Sequence, residues 1–207
     1  MSFIRRVVWP AIAMLLLLTL LTGAAYPAAI TAVAQVVFPS QANGSMLTTN
    51  DGRVIGSSLI GQCFDQPQYF WGRPSAAGAS DSNPCGYDAN SSAGSNLGPT
   101  SEALLDRINA QVADWQAKYG NAPIPVDLVT TSASGLDPDI SPAAAEYQLA
   151  RVAAARGMTQ DDVRAAVARH TQQPLLGFLG EARVNVLELN LDLDGLLARA
   201  GGGDDRS

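Results

Sequence analysis

Few residues in this chain can do chemistry. It has one histidine (His170), one lysine (Lys118) and two cysteines (Cys63 and Cys85). Ser75, Ser80, Ser132 and Ser134 sit in glycine-rich surroundings. A serine nucleophile needs a base, usually histidine, itself held by a carboxylate. Only His170 is available, and it falls on an amphipathic stretch where a surface or partly packed role is the simpler reading. Zinc held by several histidines is excluded by the single one. A phosphate-cradling loop needs lysine after glycine, and Lys118 follows Ala117. Asp137 and Asp139 flank Pro138 just ahead of Ser141. Acidic groups before a helix N-terminus suit its dipole, and two carboxylates in one turn are slender grounds for a divalent-cation site. Cys63 and Cys85 form a disulfide if both lie outside the cytoplasm, worth about 3 kcal/mol for a loop of this size. The alternative is two free thiols.

Composition narrows the field further. The chain has 207 residues, a formal net charge of -6 and a pI near 4.6. So few cations cannot neutralise a phosphate backbone, which argues against nucleic acid. Setting Arg5 and Arg6 aside leaves 11 basic residues against 19 acidic ones, a balance of -8. Such a surface favours solubility and modestly concentrates cations.

The N-terminus decides the topology. No charged residue occurs from Val7 to Asn50, and Val7 to Val37 is nearly all apolar or small. About 20 such residues cross a bilayer, so this run is long enough for an anchor. The span is placed at Val8 to Ile30, with Pro10 in the first helical turn and Pro27 kinking or ending the packed part. Trp9 and Tyr26 suit the two headgroup boundaries. Arg5 and Arg6 place the N-terminus in the cytoplasm and the rest outside. A cleaved signal peptide is the alternative, with small residues at Gly23, Ala24 and Ala25, but the apolar run continues well past them. No ionisable residue lies in the span, so one such helix offers no ion path.

Beyond a polar linker, Ser40 to Asn50, the chain reads as one α+β domain. Arg53 to Leu59 is expected as a strand, Gln66 to Pro99 as a long surface loop, and Glu102 to Gly120 as a helix with Leu104, Leu105, Ile108, Val112 and Trp115 on one stripe. Val126 to Thr130 reads as a strand. Ser141-Pro142 starts a helix that stops at Gly157, and Thr159 with Asp162 starts the next. Arg183 to Asp192 reads as a final strand. The division is 1–38 for the N-terminus and membrane helix, 39–198 for the extracytoplasmic domain and 199–207 for a disordered tail.

Several runs carry a resemblance. Gly56 to Gln62, Tyr69-Phe70-Trp71-Gly72-Arg73-Pro74-Ser75-Ala76, Gly94 to Pro99, Pro125 to Thr130, Ser134 to Pro138 with Ile140-Ser141-Pro142, Arg151-Val152-Ala153, and Leu179-Gly180-Glu181 with Arg183 to Leu187 resemble, in order, the C subunit of the Kdp potassium-transporting ATPase. Cys63, Cys85, Asp139 and Ala182 depart from the family pattern. The resemblance implies a non-catalytic accessory subunit of a potassium-uptake complex in the bacterial plasma membrane. The family is described as assisting assembly and raising the catalytic subunit's affinity for ATP. The implied partners are a channel-like potassium-binding subunit, a P-type ATPase subunit and a small single-span subunit. ATP, magnesium and potassium would be handled by those partners, with no cofactor here. Arg73, Asn96, Ser134 and Asp137 are the candidate contacts for docking on the channel-like subunit. Two rivals stand beside this: a stand-alone envelope binding module, and an envelope hydrolase that would lose activity on His170→Ala, whereas the accessory reading expects no loss.

Overall fold

The computed structural model describes residues 2–196. The expected tail, 199–207, lies outside them. The chain divides into two compact units after Met46.

In the first unit, α1 (Ser2–Leu20), a π-helical turn (Leu21–Ala25) and α2 (Tyr26–Val37) form one helix. Its 35 residues from Phe3 to Val37 are long and apolar enough to cross a membrane. The helix overruns the expected span at both ends, so Pro10 lies in the interior of α1 and not in a first turn. Pro27 does not end it either. The Tyr26 N–H donates to Leu21 O, five residues back. The register thus skips a residue just before a proline that has no N–H to give. Thr22 Oγ1 donates to Leu18 O at 2.7 Å, which satisfies the hydroxyl within the helix itself. A single turn, α3 (Pro39–Ala42), follows.

After β1 (Met46–Thr48), whose first residue closes the first unit, the second unit holds β2 (Val54–Ser57), α4 (Glu102–Tyr119), a 3-10 turn (Val126–Leu128), β3 (Asp139–Ile140), α5 (Pro142–Arg156), α6 (Gln160–Arg169), β4 (Thr171–Gln172), β5 (Arg183–Asn185) and α7 (Val186–Leu193). β1 pairs with β2, while β3, β5 and β4 make an antiparallel sheet in that order. Val184 is its centre, opposite Ile140 on one side and Thr171 on the other. α5 packs on α6, α6 on α7, and Leu149, Val152, Val163, Val184 and Leu189 fill the core with Phe70. Ala144, Ala145, Ala153 and Ala166 are buried and small, which lets α5 and α6 approach closely. Ser141 caps α5 and Thr159 caps α6 through their side-chain oxygens, as the sequence predicts.

Of two expected strands, one is not a strand and the other is a strand only over Arg183–Asn185. In Val126–Thr130, Val126 is exposed while Leu128 and Val129 are both buried. Adjacent buried residues break the alternation a strand needs, and the segment coils into the 3-10 turn. Its Asp127 carboxylate accepts from Ser141 N–H at 2.7 Å and from Ser141 Oγ at 3.1 Å, tying the turn to the head of α5. In Arg183–Asp192, the strand stops at Asn185, whose side chain accepts from Glu188 N–H at 3.0 Å and caps α7. The Asn-x-x-Glu spacing of a capping box prevailed over the broken apolar alternation.

The stretch from Ser58 to Ser101 contains no helix or regular strand, yet part of it is deeply buried. Phe70 is wholly buried in the core. Asn190 of α7 accepts from Phe70 N–H at 2.8 Å and donates to Phe70 O at 2.9 Å. Gln148 of α5 does the same for Trp71, at 2.8 Å and 3.1 Å. Each carboxamide supplies one donor and one acceptor, as a neighbouring strand would. Arg151 donates to Tyr69 O at 2.9 Å and Arg156 to Gln68 O at 2.7 Å. Arg151 also reaches Tyr119 OH, and its guanidinium stacks 3.9 Å over the Trp71 ring.

Asn190→Leu keeps the volume but strands both backbone groups of Phe70. It should lower unfolding stability by about 3 kcal/mol, read as a lower denaturant midpoint for the full chain in detergent. An unchanged midpoint would show that this pairing is dispensable.

Candidate functional site

The sequence motif Trp71-Gly72-Arg73-Pro74-Ser75 leads from the buried clamp to the surface. Arg73 lies where this segment meets the turn Thr130–Asp137. Its guanidinium pairs with Asp137 at 3.0 Å and donates to Thr130 O and Thr131 O at 3.4 and 3.3 Å. Ser75 Oγ donates to Gly135 O at 2.6 Å and accepts from the N–H groups of Ala77 and Tyr87. Two distant stretches are thereby sewn together.

Tyr87 locks this arrangement. It takes a left-handed backbone (φ 61°), and its hydroxyl donates to Arg73 O at 2.7 Å. Gly61 lies against the ring and Gly72 against the hydroxyl, and a Cβ would come to 2.5 Å from the ring at Gly61 and to 2.5 Å from the hydroxyl oxygen at Gly72. Only glycine permits that approach. Burial, with the Asp137 charge adding and Arg73 opposing, pushes the Tyr87 pKa up to about 12. Cys63 and Cys85 are bonded beside it, closing a loop across a separation of 22 residues.

Between this loop and α4 opens a groove of about 340 Å³ lined by Trp71, Arg73, Tyr87, Gln111, Asp114 and Lys118 among others. Lys118 pairs with Asp114 at 2.6 Å and lies 4.9 Å from the Trp71 ring. Among the described residues, no group of three or more His, Cys, Asp or Glu is placed to hold a metal ion. Asp137 and Asp139 instead pair with Arg73 and Arg183, each at 3.0 Å.

Of the four proposed contact residues, the structure brings Arg73 and Asp137 together as an internal ion pair. Ser134 lies in the same turn, exposed, with its Oγ accepting from Leu136 N–H at 3.1 Å. Asn96 is exposed in a left-handed conformation (φ 53°) on the loop before α4. Of the serines read as weak nucleophile candidates, Ser75 joins the two distant stretches, while the others serve local turns: Ser80 accepts from Asn83 N–H, Ser132 from Gly135 N–H and Ser134 from Leu136 N–H. Tyr87, Gln148 and Asn190, which hold the site, were not singled out from the sequence. The available signal was a lone carboxamide within each apolar helical run, at Gln148 and at Asn190.

His170 faces α7. Glu188 lies 3.9 Å from Nδ1 and Asp192 3.1 Å from Nε2, with Arg169 also on Asp192 at 2.7 Å. These carboxylates, Glu188 foremost, raise the histidine pKa against the opposing effect of burial. The folded chain therefore binds the protonated ring more tightly than the unfolded chain does. The stabilisation is complete below the unfolded value of about 6.5 and disappears as pH rises through the raised folded value. The denaturation midpoint of the full chain should fall as pH rises above about 6.5, and His170→Gln should lack this fall. Parallel pH profiles in the two proteins would show that the pairing contributes nothing. Tyrosinate absorbance tests the loop: one tyrosine should ionise near pH 12, and Tyr87→Phe should remove that late step. A profile that keeps it assigns it to another ring.

The profile of the family described as K+-transporting ATPase, c chain, matches residues 8–195. A chain from Sorangium cellulosum (strain So ce56) is 58% identical over 188 residues, 90% of this chain and 96% of its own length. One from Rhodopseudomonas palustris (strain BisB18) is 57% identical over 191 residues, covering 89% and 96%. One from Caulobacter vibrioides (strain NA1000 / CB15N) is 55% identical over 185 residues, covering 89% and 91%. All three are named potassium-transporting ATPase KdpC subunit. The match takes in the long helix, the clamped segment, the Arg73–Asp137 turn and α7 alike, and the chain belongs to the KdpC family.

Proposed function

We propose that this chain is a non-catalytic accessory subunit of an ATP-driven potassium-uptake complex. The observation that carries this is the family match across residues 8–195, with relatives above half identity bearing the potassium-transporting ATPase name. The partners are a channel-like potassium-binding subunit, a P-type ATPase subunit and a small single-span subunit. Arg5 and Arg6, in the first turns of the helix and ahead of its uncharged stretch from Val7 to Val37, favour an N-terminus in the cytoplasm and an α+β unit outside. With no ionisable group from Val7 to Val37, the helix anchors and does not conduct.

This topology sets the terms of any effect on ATP. ATP is cytoplasmic and the α+β unit is outside, so the chain raises ATP affinity allosterically or not at all. It must bind one pump state more tightly than another, and the coupling is then reciprocal. The outer unit docks on the channel-like subunit, with Asn96 and Ser134 as exposed contacts and the Arg73–Asp137 pair shaping the turn that presents Ser134.

The test is purification of the tagged full chain in mild detergent from its native host under potassium starvation. The two large subunits should co-purify with potassium-stimulated ATP hydrolysis. In the purified complex, loss of this chain should weaken ATP binding about tenfold, within the usual range of coupling. Equal ATP affinity with and without it would remove the allosteric role. Recovery of the chain alone, well folded, would favour a stand-alone envelope binding module.

A further inference from the structure

The β4–β5 connection carries the most exposed apolar group in the α+β unit. In Pro174-Leu175-Leu176-Gly177-Phe178-Leu179-Gly180, the four large side chains are 69%, 76%, 72% and 50% exposed in chain order. A loop tip is ordinarily polar, and apolar side chains grouped in the open mark an interaction site. The tip is also built. Leu175 and Leu179 exchange backbone hydrogen bonds at 3.1 and 2.9 Å, and Gly177 N–H donates to Pro174 O at 2.9 Å. Leu176 sits in the left-handed region (φ 56°), followed by Gly177 at φ 80°. A leucine held there is strained, and such strain gathers at ligand clamps and switches. Its side chain is the most exposed of the four, so the strain serves no packing within this chain.

We propose that this tip is a docking plug that inserts Leu176 and Phe178 into an uncharged, apolar recess on another subunit of the potassium transporter. The proposal rests on the subunit reading above. No ionisable side chain occurs from Thr171 to Gly180, so the recess it fits carries no charge. Charge also discriminates among occupants. The portion after Arg6 has 11 basic and 19 acidic residues. An acidic unit gains nothing from anionic headgroups, and loop backbone is costly in hydrocarbon. A second copy would bring the same excess of negative charge against itself.

The test places a photo-crosslinking residue in the full chain, co-expressed with the other subunits. Leu176→p-benzoylphenylalanine should cross-link to one transporter subunit, identified by mass spectrometry. Asp161→p-benzoylphenylalanine, replacing a 93% exposed side chain on α6, should not. The double variant Leu176→Ser, Phe178→Ser alters only exposed side chains and should cut co-purification of the other subunits at least tenfold. Cross-linking to lipid or to a second copy, or undiminished co-purification of the double variant, overturns the plug while the subunit reading stands. Failure of the unaltered chain to co-purify with any transporter subunit overturns both.

Discussion

The fold depends on two neutral side chains standing in for a β-strand. Asn190 and Gln148 pair with the backbone of Phe70 and Trp71 and so allow an irregular segment to enter the core without leaving peptide groups unpaired. Buried backbone polar groups must be satisfied, and a long segment without helix or regular strand has no continuous ladder of its own to do so at Phe70 and Trp71. The helices supply the partners. α7 holds one residue and α5 the next, so the segment also fixes how those helices sit against each other. Phe70 then joins Leu149, Val152 and Leu189 in one cluster.

The Arg73 region follows from that constraint. Once Trp71 is fixed, Arg73 emerges two residues later beside the turn that precedes β3. Its ion pair with Asp137 and the Tyr87 hydroxyl carry the order of the clamp into the surface loop. Surface ion pairs contribute little by themselves. This one is partly buried and sits among carbonyl contacts, so its role is to set the shape of a turn. The Cys63–Cys85 bond closes the same loop from the other side.

Much of this was legible in the sequence, and what was not has a physical cause. The membrane-length helix, α4, α5 and α6 followed from apolar periodicity and from caps at Ser141 and Thr159. Those signals are local. Val126–Thr130 and the part of Arg183–Asp192 after Asn185 were misread as strand because β-branched residues and incomplete alternation outweighed nearer evidence, Asp127 beside a turn and Asn185 three before Glu188. β3 and β4 are two residues each, too short for any periodicity to register. At the site, Arg73, Ser134 and Asp137 drew attention through resemblance, but the Arg73–Asp137 contact spans 64 positions of chain, and no spacing rule reaches that far. Tyr87 was invisible because its importance lies in the empty space at Gly61 and Gly72.

The clamp's chemistry also bears on the surroundings in which such a unit must stay folded. Carboxamides neither titrate nor carry charge, so the deepest attachment of the Phe70 segment is indifferent to acidity and ionic strength. The arginine bonds around it lie nearer solvent and are open to screening. A swing in salt concentration would therefore loosen the rim of the unit while its centre held. The same chain keeps its fold in both dilute and concentrated salt.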